Sequence, residues 1–359
     1  MIQFSVVMPV YGVELYVRDS INSVLQQTYP VHEIILVNDH SRDQSPEICD
    51  YFAHIHNHVQ VIHLEHNMGV SHARNIGLQH ASGDYILFID SDDTIDDNLL
   101  ERVALSLLKN PADVSIYGLV EAYCNRKGQV IRTNQISPEC DRYLNEVQDI
   151  RDLVIDLEQN TLLGYPWNKV YSVSYLKEHG CKFPSYSLNE DILFNIDVMR
   201  YIKSMNLLAF TPYHYMKRDT TSLTNKYLPN YYNAHRRKIE ALYHLHQDWY
   251  KDQVIIPEHV MQVISLRYVR YIYSALMRTY DSRANMDRSK RRKFLQSIYK
   301  DMLYQTLESY MRSEKMMERV MIRLLQKRSN LVFVLGYGLY LTHTYAKGVY
   351  RMMTIMRGK

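Results

Sequence analysis

The feature that most constrains this chain is the alternation in its opening stretch. Short, continuously apolar runs take turns with longer segments of helical periodicity. Ile2–Val10, Glu33–Val37, Val59–Leu64 and Tyr85–Ile89 read as strands. Glu14–Gln27, Pro46–His56 and Val70–His80 read as the helices between them. In the first of these, Leu15, Val17, Ile21, Val24 and Leu25 lie on or near one face. Runs such as EIILV and YILFI have no polar side, so both faces of their sheet are covered. The pattern predicts an α/β fold on an open, mostly parallel sheet. In such sheets ligands bind beyond the carboxyl ends of the strands, and the polar residues there are the candidates for function.

The remainder of the chain changes character twice. Asp113–Ala122 and Leu207–Met216 read as strands, and Val147–Gln159 and Asp191–Ile202 as helices. Tyr123–Ile136 reads as a loop or hairpin around Arg126-Lys127-Gly128. From Leu228 onward the texture is helical, over Tyr231–Tyr250, Val260–Tyr280 and Arg292–Lys327, with breaks near Pro257 and Asp281. Charge divides at nearly the same place. Residues 1–225 hold 29 Asp+Glu against 17 Lys+Arg, a net −12, whereas residues 226–359 hold 10 against 25, a net +15. Two modules are expected, over 1–225 and 226–359, the second basic, α-helical and facing something anionic.

Composition excludes several classes. At 46% apolar and 23% charged, the 359 residues have the balance of a globular protein with a sizeable core. Cys49, Cys124, Cys140 and Cys181 form no CxxC pair, so a reducing compartment is expected rather than a zinc ribbon or disulfide framework. MIQFSVVMPVYG has no basic leader and reads as a strand, not a signal peptide. Leu331–Tyr350 is the most apolar window, but His343, Lys347 and two interior glycines make it a poor membrane span. Just before it, Met317, Val320, Met321 and Leu324 form a stripe, with Lys315, Arg319, Arg323 and Lys327 elsewhere on the helix. Either a bundle core with a solvated basic face or a helix lying on a membrane accounts for that pattern.

Three polar segments sit where the sheet would present them. Asp90-Ser91-Asp92-Asp93 follows the strand Tyr85–Ile89. Three carboxylates there repel one another, and a hard divalent cation that also holds phosphate oxygens would relieve them. The plain alternative is a solvated acidic loop capping a helix that starts near Asp96. Asn38–Asp43 follows Glu33–Val37; a carboxylate in it can accept from a base N–H or a sugar hydroxyl, and Asp43 or Ser45 can cap the next helix. In Asn67–Gly77, Gly69 permits a tight turn, Ser71 can cap the following helix, and Arg74 and Asn75 point back from its first turn. An arginine so placed can stack on or hydrogen-bond a nucleotide base. His54, His56 and His58 alternate without the cysteine or carboxylate pattern of a metal site.

Taken in order, Pro9-Val10-Tyr11, Asn38–Ser45, Asn67–Gly77, Gly83-Asp84-Tyr85 and Asp90–Asp93 resemble the family 2 glycosyltransferases of the GT-A fold, over residues 2–110. The resemblance implies a Rossmann-like GT-A domain over 1–225, with a nucleotide-sugar-binding half at 1–110 and an acceptor and catalytic half at 111–225. It places Pro9 and Tyr11 with the nucleotide, Tyr11 beside the uracil. It puts Asp39 and Arg74 on the base, Asp90 on the ribose and Asp92 on a Mn²⁺ or Mg²⁺ ion. Gly12 departs from the asparagine usual at that position. Trp167-Asn168-Lys169-Val170-Tyr171 and Asn189–Phe194 look like the W-x-K and E-D segments of the family. By that pattern Asp191 is the general base for the acceptor hydroxyl, with Glu190 positioning acceptor or base. The start of the helix there favours an ionised carboxylate, as a base requires. His214–Thr224 is similar to the segment after the base helix, which implies Arg218 facing the leaving diphosphate and His214 approaching metal or phosphate.

The resemblance implies an inverting, metal-dependent transfer from a UDP-sugar to a hydroxyl of a glycan acceptor, free or lipid-linked, in capsule, lipopolysaccharide or other surface polysaccharide synthesis. The basic half then reads as the attachment of a cytoplasmic enzyme to the inner face of the membrane; a homo-oligomer interface is the rival use of those helices. Nucleotidyl transfer would need a basic glycine-rich loop, and Met8–Leu15 has none. A dinucleotide enzyme would show G-x-G-x-x-G after the first strand. Nucleic-acid binding has the charge but no recognition motif, and none is expected. A catalytically inactive scaffold of the same fold is opposed by the intact Asp39, Asp90, Asp92, Glu190 and Asp191.

Overall fold

The apolar runs of the opening stretch become β1 (Phe4–Val10), β2 (Glu33–Asn38), β3 (Val59–His63) and β4 (Tyr85–Phe88), paired in parallel in the order β3-β2-β1-β4. The structure, a computed structural model, describes residues 1–125, 128–218, 228–251 and 255–345. Arg126-Lys127, the segment from Asp219 to Thr224 and the end of the apolar window after Tyr345 lie outside the described residues. Every residue of β1 and β2 is buried, as their two-sided apolar sequence demands.

The crossovers are α1 (Val17–Leu25), α2 (Ser45–Ile55) and α3 (Val70–His80). α1 buries Val17, Ser20, Ile21 and Val24, one helical face. The turn into α3 is built by Asp39. Its carboxylate oxygens accept the N–H groups of Met68 (2.7 Å) and Gly69 (2.8 Å). Gly69 has φ +87°, a conformation that favours glycine, and occupies the cap position expected for Ser71. Ser71 instead lies in the first turn with its hydroxyl buried. α3 then lies close on β1: a Cβ on Gly77 would sit 2.2 Å from Val7 Cγ1.

β5 (Thr94–Ile95), α4 (Leu99–Lys109), β6 (Val114–Cys124), β7 (Val130–Ile136), β8 (Arg142–Leu144), α5 (Val147–Gln159), β9 (Lys169–Ser172), α6 (Val173–Glu178), α7 (Glu190–Met199) and β10 (Met205–Lys217) follow. The parallel arrangement holds through β4 and then becomes mixed. β9 enters antiparallel between β4 and β6, while β10 runs parallel to β6; β5, β7 and β8 add antiparallel pairs. β9 is too short for its alternation to register in the sequence. Side chains at the start of β9 and on β10 meet in an aromatic stack, with Trp167 between Tyr165 (4.3 Å) and Tyr213 (4.1 Å).

By contacts the chain divides into two compact units, Met1–Asn225 and Lys226–Lys359. The second is helical: α8 (Tyr231–Trp249), α9 (Glu258–Arg278), α10 (Arg288–Lys300), α11 (Met302–Glu308), α12 (Met316–Gln326) and α13 (Leu331–Tyr345), with a 3₁₀ turn at Ser282–Ala284 before α10. The single helix expected over Arg292–Lys327 is three. Asp301 ends the first and caps the second, accepting from Leu303 N–H (3.1 Å) while Arg236 holds the same carboxylate. α12 buries Glu318, Met321, Ile322 and Leu325, and Glu318 pairs with Arg270 (2.7 Å). Of the stripe read in the sequence only Met321 is buried and Val320 is exposed; the buried face of α12 is rotated from it. Among the described residues no helix is long and apolar enough to cross a membrane.

Candidate active site

Three elements converge on one arginine. Arg74, in α3, has a side chain only 3% exposed. Its Nη2 donates to Asp90 Oδ1 (2.7 Å), just past β4, and its Nη1 donates to Asp191, in the first turn of α7. The guanidinium also lies over the Phe183 ring, 5.2 Å from its centroid. Asn75 fixes that ring's backbone by two reciprocal bonds, Asn75 Nδ2 to Phe183 O and Phe183 N–H to Asn75 Oδ1, each 2.8 Å. Burial works against the charge on Arg74, but Asp191 and then Asp90 more than offset it. A buried arginine with two carboxylate partners is a bridge between strand end and helix start. The inward-facing position of Arg74 on α3 sets this placement.

The E-D pair responds to the same burial. Burial and the Asp191 charge raise the Glu190 carboxyl to about 7. Burial also raises Asp191, with Asp90 adding to the rise and Arg74 opposing it. The helix-terminus argument for a readily ionised Asp191 omitted this desolvation, which a linear sequence does not display. The two carboxyls interact strongly enough to titrate as a pair. Asn195 holds the turn, donating to Asp191 O (3.1 Å) and accepting from Tyr171 (2.7 Å). Lys169 of the W-x-K segment is fully buried and donates to Leu162 O (2.7 Å), Tyr165 O (2.6 Å) and Asn168 Oδ1 (2.8 Å). Burial lowers its pKa well below the usual lysine value.

The remaining carboxylates separate by environment. Asp93 is buried and accepts from Tyr213 Oη (2.9 Å) and Met216 N–H (2.7 Å). Burial, with Asp92 and Asp90 beside it, raises its pKa well above the ordinary range. The same Tyr213 hydroxyl receives the Asp90 N–H (3.2 Å). Asp92 keeps 44% of its side chain exposed and accepts from Arg218 Nη1 (3.2 Å), whose guanidinium stacks 3.9 Å over Tyr16. Burial and Asp90 raise Asp92, and Arg218 opposes that.

His214 does not join this group. It pairs through Nε2 with Asp96 Oδ1 (2.7 Å), because strand alternation turns it to the side of β10 away from Tyr213 and Tyr215. Among the described residues no group of three or more His, Cys, Asp or Glu is arranged to hold a metal. Asp90 and Asp92, 27% and 44% exposed, still suit a hard cation whose other ligands are phosphate oxygens and water. Pro9 is buried in β1 opposite Val37, and Tyr11, 55% exposed, stands just beyond that strand end.

Sequence reasoning missed Phe183 under Arg74, Tyr16 under Arg218, and Tyr213 linking Asp90 to Asp93. The spacing of Tyr213 and Tyr215, two apart on one strand face, is the signal that would have found the last.

This is the architecture of a GT-A glycosyltransferase, and the chain carries a domain of Glycosyl transferase family 2, matched by that family's model over residues 5–180. It is similar to the putative glycosyltransferase EpsH of Bacillus subtilis, at 30% identity over 62% of this chain and 63% of that one. It is also similar to the poly(ribitol-phosphate) beta-glucosyltransferase of Bacillus spizizenii, at 30% identity over 67% of this chain and 37% of that one. The chain thus spans less than two thirds of either relative. S. aureus TarS 1–349, solved in complex with UDP-GlcNAc, shares the fold with a TM-score of 0.64 at 19% identity, over 96% of this chain and 92% of that chain.

Proposed function

We propose that the first unit transfers a sugar from a UDP-sugar to a hydroxyl of a glycan acceptor, with inversion at the anomeric carbon, in the synthesis of a cell-surface polysaccharide. The observation that carries this reading is the Arg74 bridge from Asp90 to Asp191, which ties a strand-end carboxylate cluster to a carboxyl pair raised toward neutrality. A fold neighbour solved with UDP-GlcNAc supports the donor class, and a relative named for poly(ribitol-phosphate) glucosyl transfer supports a surface polymer as product.

In this reading Tyr11, Pro9 and Asp39 receive the uracil and Asp90 the ribose. Asp191 takes the acceptor proton as the oxygen attacks, with Glu190 orienting the hydroxyl. Arg74 keeps Asp191 aimed and favours its charged form. Arg218, supported by Tyr16, faces the departing diphosphate. Asp92, with Asp90 beside it, would hold Mn²⁺ or Mg²⁺, which when bound neutralises charge on the leaving UDP. The enzyme works on the inner face of the cytoplasmic membrane on a free or lipid-linked acceptor, held there by its basic helical unit.

The test is UDP release from UDP-Glc, UDP-Gal, UDP-GlcNAc and UDP-GalNAc with Mn²⁺ or Mg²⁺. One donor is expected to turn over, with loss of activity in EDTA and in Asp92→Ala. Activity that survives both removes the metal from the reading. Failure of all four donors, with acceptor glycans present, removes the transferase reading.

A further inference from the structure

We propose that the exposed apolar face of α13, flanked by the basic helix α10, is the surface by which the second unit rests on an anionic phospholipid membrane. The proposal depends on the membrane reading above and gives it a face. On α13, Leu331, Val334, Tyr337, Leu341 and Tyr345 are 59%, 66%, 47%, 36% and 78% exposed. They recur at steps of three and four, one side of a helix. The other side is anchored: Val332, Gly336 and Leu339 are buried, and a Cβ on Gly336 would lie 3.6 Å from Leu276 of α9. The helix is therefore held by its unit on one side and presents apolar side chains on the other. α12 presents a shorter apolar face: its Met321, Ile322 and Leu325 are buried, and Met316 and Val320 are its exposed large apolar residues.

Charge identifies the occupant. α10 carries six Lys or Arg and no Asp or Glu in 13 residues, and Arg288, Lys290, Arg292, Lys293 and Lys300 are exposed. Two links hold it near α13. The Arg291 guanidinium lies 4.2 Å over the Tyr280 ring, and Tyr280 packs 5.1 Å from Tyr337 and donates to Phe333 O (2.8 Å). Arg328, just before α13, lies 5.6 Å over Tyr299 of α10. An apolar stripe with basic residues beside it matches a bilayer interface: the aliphatic side chains enter the acyl boundary, tyrosines settle among headgroups, and lysines and arginines meet phosphate. A second copy docked symmetrically on this face would bring two such basic helices toward each other, like charge against like.

The experiment is co-sedimentation of the full chain with phosphatidylcholine vesicles, with and without phosphatidylglycerol. Two variants are compared with the wild type, Val334→Glu/Leu341→Glu and Lys290→Glu/Arg292→Glu/Lys293→Glu. The wild type is expected to pellet only with phosphatidylglycerol vesicles, and each variant to lose about tenfold or more in partitioning. Both are expected to keep the wild-type UDP release, which reports an intact first unit, and the wild-type helix content by circular dichroism, which reports an intact second unit. Wild-type pelleting that both variants retain overturns this face and leaves the membrane reading standing. A wild type that ignores anionic vesicles overturns the membrane reading and this proposal with it. A dimer that Val334→Glu/Leu341→Glu splits, with pelleting unchanged, makes the face an interface between copies and overturns the lipid assignment.

Discussion

Arg74 sets the electrostatics of the site, since a buried guanidinium holds two carboxylates from different elements. In the proposed reaction it favours the charged form of Asp191 as the base, so Asp191→Asn, which keeps the shape and removes the basicity, is expected to lower turnover by about 10²-fold or more while donor affinity persists. Near-normal turnover in Asp191→Asn, together with a dead Glu190→Gln, would exchange the two roles. A pH effect follows from Glu190, whose folded value of about 7 stands above the ordinary 4.5. The folded protein binds that proton more tightly than the unfolded chain. The associated stability is fully present below the ordinary value and is lost as pH rises through the folded one. Urea midpoints measured from about pH 4 to pH 8 should therefore fall more in the wild type than in Glu190→Gln. Parallel pH curves for the two proteins would refute the assignment.

At the scale of elements, the regular segments were legible where periodicity was strong. α3 and α5 have the bounds that the sequence implies, Val70–His80 and Val147–Gln159. The expected Arg292–Lys327 helix broke first at Asp301, which Arg236, on α8, holds, a contact far away in sequence. β9 was missed because four residues carry too little alternation. The seating of α3 on β1 through Gly77 was equally invisible, since it depends on Val7 across the layer. Gly77→Ala would push a methyl into Val7 Cγ1 and should destabilise the protein by about 1–3 kcal/mol. In a urea series the loss should be partly relieved by a companion Val7→Ala, a coupling between neighbours that distant sites do not show. Additive losses, or a neutral Gly77→Ala, would mean that α3 is free to lift.

For the whole molecule the governing fact is the division of charge, −12 over residues 1–225 and +15 over 226–359. A net charge difference of this size acts at range and is screened by salt, with a Debye length of about 8 Å at physiological ionic strength and about 3 Å at 1 M. Vesicle attachment should therefore weaken as NaCl is raised from about 0.05 M to about 1 M, while UDP release from a soluble acceptor reaction changes little. Attachment that is indifferent to salt would assign the binding to the apolar stripe alone.

The sequence by itself determined the α/β alternation, the parallel start of the sheet, the strand-end positions of Asp39, Asp90 and Asp92, and the helical, basic character of the second unit. Each of these depends on local periodicity or composition, which a linear chain carries in full. The tertiary structure alone decided that Arg74 faces Asp90 and Asp191, that His214 turns to Asp96, that burial raises Glu190, and that α13 leaves a longer apolar side uncovered than α12. Those outcomes depend on which distant side chains share a buried volume, because burial and pairing, not residue type, set the energy of a charge or an apolar surface.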